Sequence, residues 1–375
     1  MKREGEAGGA RRRMGLAQRA NPVSCLSVEL RRGRTRATYL RILGSAALAG
    51  AAVLAAAGCT STAAPATAST TASHALTLAE AQATYDSYVT ASAAAAKQGD
   101  AAQALEIAGD EQWAILHAQY MALTTTGTPV AQQRYGTPVF YVPALPNYPL
   151  WFAVTVPVST DTGGHLGSAV DTLMVFQRFI PSRPWTLDGS TVLDQPLPAM
   201  AHDSDGYAVA SSAGDPSLLL PPDLVGPTQA AVVDEGPAAP AAAVIGGGPQ
   251  TTGFYAAQNA QVQSASAHGL NYLWLLQATA FAQYELQTAD GGALVLYAMY
   301  LNTQIEHPGD VAGPPIPVPA NFAPLITTAA AKVGHKGVAA NWTYEFAAVD
   351  PPQTAHGVKV EVIGGSGAPT YGDGY

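Results

Sequence analysis

The sequence predicts an α+β protein made of two successive helices-then-antiparallel-sheet units. Two observations predict it. Apolar residues at helical spacing come before short runs rich in β-branched and aromatic residues bounded by Gly, Pro and Asp, and this order occurs twice after residue 75. Segregated helices and strands, rather than alternating ones, argue for helices packed on the face of an antiparallel sheet.

In the first unit, Thr77-Leu78-Ala79-Glu80 has the capping-box pattern, in which hydroxyl and carboxylate satisfy backbone N–H groups that the first turn leaves open. Leu78, Ala81, Tyr85 and Val89 then fall on one helical face, and Gly99 stops the helix. Asp100 with Gln103 offers the next cap, and the stripe Trp113, Leu116, Tyr120, Leu123 predicts a helix over 110–123. The texture changes at Pro138. Residues 138–142, 150–158, 173–179 and 185–193 read as strands.

Residues 214–253 are rich in Pro, Ala and Gly and read as a connector, with only 223–235 expected to be structured. Tyr255, Asn259 and Val262 predict a helix over 254–267, and 272–287 reads as extended. Asp290-Gly291-Gly292 is a hairpin turn leading into a strand over 293–305. Strands over 342–349 and 358–363 close the set; the glycine-rich end from Gly364 is expected to be loose. The expected organisation is therefore a leader (1–58), a disordered tether (59–74), an α+β domain (75–213), the connector (214–253), a second α+β domain (254–367) and a flexible tail (368–375). The order is similar to small curved-sheet folds of the NTF2-like or cystatin-like kind, which would make the units a tandem pair. A single α+β domain whose strands join one larger sheet is the alternative.

The leader carries the most specific motif. Arg31, Arg32, Arg34, Arg36 and Arg41 form a positive region, and residues 42–57 form an uncharged apolar core. That core is short and only weakly hydrophobic for a membrane span of about 20 residues. Ala57 and Gly58 are the small residues before Cys59. The arrangement resembles the lipobox of bacterial lipoproteins, with Ala56 where that family prefers Leu. The resemblance implies diacylglycerol attachment at Cys59, a new N-terminus there, and anchoring at the outer face of the cytoplasmic membrane. Residues 1–30 are long for a leader and hold another run at Arg11, Arg12 and Arg13, so Met14 or Val28 is the expected initiator.

Composition sets limits on the mature part. Eleven of the 18 Lys and Arg and three of the 27 Asp and Glu precede Cys59, leaving 7 basic against 24 acidic residues, a net charge of −17. Nucleic-acid binding rests on Lys and Arg neutralising phosphates, so that partner class is excluded. Cys25 and Cys59 are the two cysteines, so no thiol follows Cys59 and a disulfide or a cysteine nucleophile in the folded part is ruled out.

Trp151-Phe152-Ala153-Val154, Leu173-Met174-Val175-Phe176, Pro184-Trp185, the Asp203-Ser204-Asp205-Gly206 turn and the strand Gly357-Val358-Lys359-Val360-Glu361-Val362-Ile363 resemble a group of uncharacterised actinobacterial lipoproteins with a domain of unknown function. With the Leu78–Tyr85 helix, the resemblance spans most of 75–367. It supplies no catalytic residues to carry over.

Candidate chemistry is sparse. Asp203-Ser204-Asp205-Gly206 lacks the further ligands of a calcium loop and reads as a β-turn. His117, one turn from Trp113 with Asp110 and Glu111 upstream, could be a general base but more simply packs on the indole. The other histidines show no metal-ligand spacing, and Lys332, His335 and Lys336 form one basic loop. No Gly-x-Ser-x-Gly elbow or phosphate loop occurs; Gly246-Gly247-Gly248 sits in the connector, and Asn341-Trp342-Thr343 is a sequon inside a strand. Phe140, Tyr141, Tyr148, Trp151 and Phe152 line either a pocket or a core, with core the simpler reading. The expectation is a non-enzymatic, lipid-anchored binding or envelope-interaction module, without cofactor or metal. A small-molecule-binding or enzymatic cone and a transporter's solute-binding lipoprotein are the alternatives.

Overall fold

In a computed structural model of the chain, which describes residues 75–162, 164–309, 311–326 and 332–375, Thr77 caps the first helix. Its Oγ1 accepts from the Glu80 N–H at 3.1 Å. Leu76, just before the cap, and Ala81 are both buried in one core, so an apolar staple fixes the chain's entry angle. The leader, Cys59 and the tether lie outside the described residues.

Helix α1 (Leu78–Gln98) ends at Gly99 in the left-handed conformation, and α2 (Ala101–Glu106) starts on the Asp100 side chain. Helix α3 (Asp110–Thr126) follows. Strands β1 (Gln132–Tyr135), β2 (Val139–Tyr141), β3 (Leu150–Thr162), β4 (His165–Leu166), β5 (Val170–Arg178) and β6 (Thr186–Val192) form one antiparallel sheet in the order β1-β3-β5-β6, with β2 and β4 also pairing with β3. Then come α4 (Val225–Glu235) and α5 (Thr252–Ala267). The second sheet is built from β7 (Asn271–Ala278), β8 (Tyr284–Gln287) and β9 (Ala293–Glu306). Past the short β10 (Ile316–Pro317) and β11 (Val333–Gly334), β12 (Gly337–Asp350) and β13 (Glu361–Gly374) complete it, in the order β13-β12-β9-β7. The fold is α+β, with helices ahead of antiparallel strands in each half. The strands form two separate major sheets, not one larger sheet.

Alternation along the strands explains how the layers stack. On β3, Leu150, Phe152 and Val154 join Ala81 and Tyr85 of α1 in one core, while Trp151 and Ala153 point the other way. On β9, Val295, Tyr297 and Met299 pack with Val225, Val232 and Val233 of α4, whereas Leu294 and Leu296 meet Trp151, Ala153, Leu173 and Val175 of the first sheet. The result is helix, sheet, sheet, helix, each sheet being apolar on both faces. That is why the strands read as near-continuous apolar runs.

Several expectations are corrected. Within 214–253 the piece expected to be structured, 223–235, holds α4, but it does more than connect, because α4 supplies part of the second core. The extended stretch 272–287 is two strands, β7 and β8, both paired with β9. The end of the chain is not loose: β13 pairs with β12 as far as Gly374. The glycines that suggested a tail are needed there. Phe346 and Tyr344 face Gly365 and Gly367 across the ladder, and a Cβ on Gly367 would lie 2.4 Å from the Tyr344 ring. The strand is held by pairing with the edge of β12 that β9 leaves open, and by aromatic rings covering residues that have no side chain of their own. β1 was not anticipated, because its Gln-Gln-Arg-Tyr sequence is largely exposed at a sheet edge.

Candidate functional site

The site is built around α3. Residues 107–109 dock on the edge of β6, with the Gly109 N–H donating to the Leu187 carbonyl and the Leu187 N–H to the Ile107 carbonyl, both at 2.9 Å. Only glycine fits at 109, since a Cβ there would lie 2.2 Å from Asp188 Oδ1. The next residue, Asp110, takes φ of +39°, a strained value for a side chain with a Cβ. The docking turns Glu111 and Gln112 inward. Both are buried, whereas the predicted stripe residue Trp113 is 45% exposed and lies stacked on His117 at 4.9 Å.

Inside, Glu345 of β12 projects toward β6. Gln112 Nε2 donates to both of its carboxyl oxygens, at 2.8 and 2.7 Å, and the Ser190 N–H donates to Oε1 at 3.1 Å. Asp188 Oδ2 accepts from the Tyr284 hydroxyl at 2.9 Å, and Oδ1 accepts from Thr186 at 2.6 Å; Gln177 in turn donates to the Tyr284 oxygen. Glu111 Oε2 is buried with no hydrogen-bond partner among the described residues. Buried carboxyls without a cation resist ionisation. Burial pushes Glu345 up to about 8 despite the hydrogen bonds from Gln112 and Ser190. Glu111 is raised well above the carboxylate range by burial and then by the neighbouring charge of Glu345. Burial raises Asp188 to about 6.

Glu345 and Gln112 form part of the wall of a cavity of about 340 Å³ between α1, α3 and the first sheet, closed by β12 and β13 of the second sheet. Tyr88, Tyr120 and Tyr135 supply aromatic surface, and Gln133, Thr172 and Ser366 add neutral polar groups. Among the described residues, none lining it is basic. Burial holds the Tyr88 and Tyr135 hydroxyls protonated by raising both, most strongly Tyr88.

The other candidates resolve structurally. Asp203 Oδ1 accepts from the N–H groups of Asp205 and Tyr207, and Gly206 takes φ of +85°, so this segment is a turn. Phe140, Tyr148 and Phe152 belong to the core under α1, and Tyr141 and Trp151 to the core between the sheets, so the aromatic cluster is core. The Gly246 N–H bonds to the Val360 carbonyl, tying that loop to the second sheet. Asn341 lies within β12, paired on both sides. Among the described residues, no group of three His, Cys, Asp or Glu could hold a metal ion. No described helix is long and apolar enough to cross a membrane.

Glu345, Asp188 and Gln112 were missed from the sequence. The available signal was Tyr344-Glu345-Phe346, a lone acid inside an apolar strand whose face alternation turns it inward.

Fold and site together define an α+β protein with two helix-covered antiparallel sheets, stacked back to back, and a carboxyl-walled cavity under the first helical layer. The chain belongs to the family described as a domain of unknown function (DUF8094), which matches residues 72–373. No curated protein and no solved structure matches the chain.

Proposed function

We propose that this chain is a lipid-anchored, non-enzymatic binding protein of the cell envelope, moored at the outer face of the cytoplasmic membrane through diacylglycerol on Cys59. Its first cavity takes a small molecule. The observation that carries the binding reading is the buried carboxyl of Glu345 on the wall of a 340 Å³ space. Ligand pockets of about 300–1,000 Å³ combine apolar and aromatic walls with a few placed polar groups. A carboxyl held by Gln112 and Ser190 is pre-oriented. Raised by burial, it holds its proton near pH 7, so it can exchange a hydrogen bond with an amide ligand or pass the proton to an amine and pair with it. An anion would find no counter-charge, since no described lining residue is basic.

Binding is tested by thermal-shift titration of the mature chain against a panel of small amines and amides. At least one should stabilise the wild type, and its affinity should fall about tenfold or more in Glu345→Gln. Stabilisation that persists unchanged in the variant would remove the reading. Anchoring is tested by detergent phase partitioning, where the wild type should enter the detergent phase and Cys59→Ala the aqueous phase; two acyl chains suffice for stable anchoring. Identical partitioning would refute the lipid.

A second reading, chemistry in the same cavity, is favoured by the raised Glu345, since a carboxyl near neutrality suits proton transfer. Conversion rather than retention of a bound compound, read by mass spectrometry, would replace binding with catalysis. The solute-binding alternative finds little support, because the ladders between the named strands are antiparallel rather than those of βαβ units.

A further inference from the structure

The second unit holds its own cavity, of about 330 Å³, between α5, β7, β9, β12 and the loop ending at Phe322. It lies against the helix-covered face of its sheet, as the first cavity does, but its chemistry differs. Tyr272, Phe322, Trp342 and Tyr344 line it. Trp342 and Tyr344, two residues apart on β12, are stacked at 6.0 Å and 28°, and Phe322 meets Trp342 edge-on at 5.4 Å. Between the aromatics stand neutral hydrogen-bonding groups: Gln258 and Gln261 from α5, Thr303 from β9 and Asn321 from the loop. The Tyr272 hydroxyl donates to Gln258 Oε1 at 2.8 Å, which orients that amide to present its NH2. Among the described residues, none lining this cavity is charged.

We infer that this second cavity binds a neutral saccharide. Three ligand classes can be weighed against the lining. A charged ligand would leave water without a counter-charge to meet it. A wholly apolar ligand would bury the amides of Gln258 and Asn321 and leave them unpaired. A sugar ring meets both demands. Its C–H face, polarised by the neighbouring oxygens, suits the negative faces of indole and phenol rings, and its hydroxyls need the paired donors and acceptors that amides and threonine supply. The assignment is independent of the ligand proposed for the first cavity, which faces a carboxyl. In a lipoprotein outside the membrane, it would give the chain a contact with envelope glycans.

The test is a glycan array of neutral mono- to tetrasaccharides, with amino sugars and uronic acids as charged controls, probed with the detergent-solubilised mature chain. Isothermal titration of a retained disaccharide follows. Neutral saccharides should be retained and the charged controls should not. Trp342→Ala should weaken binding at least tenfold, and Gln261→Ala, at an exposed rim position that should not disturb folding, severalfold. Retention of no neutral saccharide, preference for charged sugars, or affinity indifferent to both Trp342→Ala and Gln261→Ala would overturn the assignment.

Discussion

Replacing Glu345 with Gln should make the protein more stable at alkaline pH while leaving it nearly unchanged at pH 5. The carboxyl is 4% exposed, faces Gln112 and Ser190, and has Glu111 and Asp188 nearby but no cation among its described partners. Its folded value of about 8 stands above the ordinary 4.5, so the native state holds the proton more tightly than the unfolded chain does. The native state therefore binds more protons across that window, and stability falls as pH rises from about 4.5 to about 8. At about 1.4 kcal/mol per pKa unit, ionising Glu345 in the fold costs several kcal/mol. Because Glu111 shares that protonation, the recoverable part is roughly 3–5 kcal/mol. Gln keeps the shape and can accept from Gln112 and Ser190, but it never carries the charge. Thermal melts of both proteins from pH 5 to pH 9, followed by circular dichroism, measure the difference. At about 2 °C per kcal/mol for a large chain, the variant should exceed the wild type by roughly 6–10 °C at pH 9. Asp188, Glu285 and Asp350 are also raised by burial, to about 6, 7 and 7, so both proteins should lose stability as pH rises. The excess in the wild type alone reports Glu345. Parallel curves, or a variant less stable at pH 9, would refute the reasoning.

Two further predictions concern the last strand. Gly367→Ala places a Cβ 2.4 Å from the Tyr344 ring and should cost about 1–3 kcal/mol in urea unfolding, whereas Gly214→Ala, with nothing within 4 Å, should cost little. Equal midpoints for the two would remove the argument for close ring cover. Truncation after Ile363 exposes the β12 edge along most of its length and should give an oligomeric or aggregated chain in size-exclusion chromatography. A monomer with the wild-type melting temperature would mean that β13 contributes nothing.

Much of the fold was legible because it is written in local rules. Thr77 with Glu80, Gly99, Asp100 with Gln103, and Asp290-Gly291-Gly292 end or begin elements through backbone chemistry confined to a few residues. The apolar strands were legible for the same reason. What misled was glycine in β13, which local propensity rejects. The stripe on α3 misled in a different way. Periodicity favours Trp113, but the buried face carries Glu111 and Gln112: the Gln112 amide is met by Glu345 of β12, while Glu111 keeps one oxygen without a partner and so resists ionisation.

The sequence alone determined the α+β order, the element boundaries set by caps and turns, the excess negative charge after Cys59 and the absence of a thiol beyond it. These are properties of composition or of residues within one turn of each other. Tertiary structure decided which sheet faces meet, that Glu345 stands 233 positions from Gln112 yet within hydrogen-bonding distance of it, and that an aromatic cavity forms between α5 and β12. No local rule carries that information, because a side chain's solvation and partners exist only once distant strands have packed.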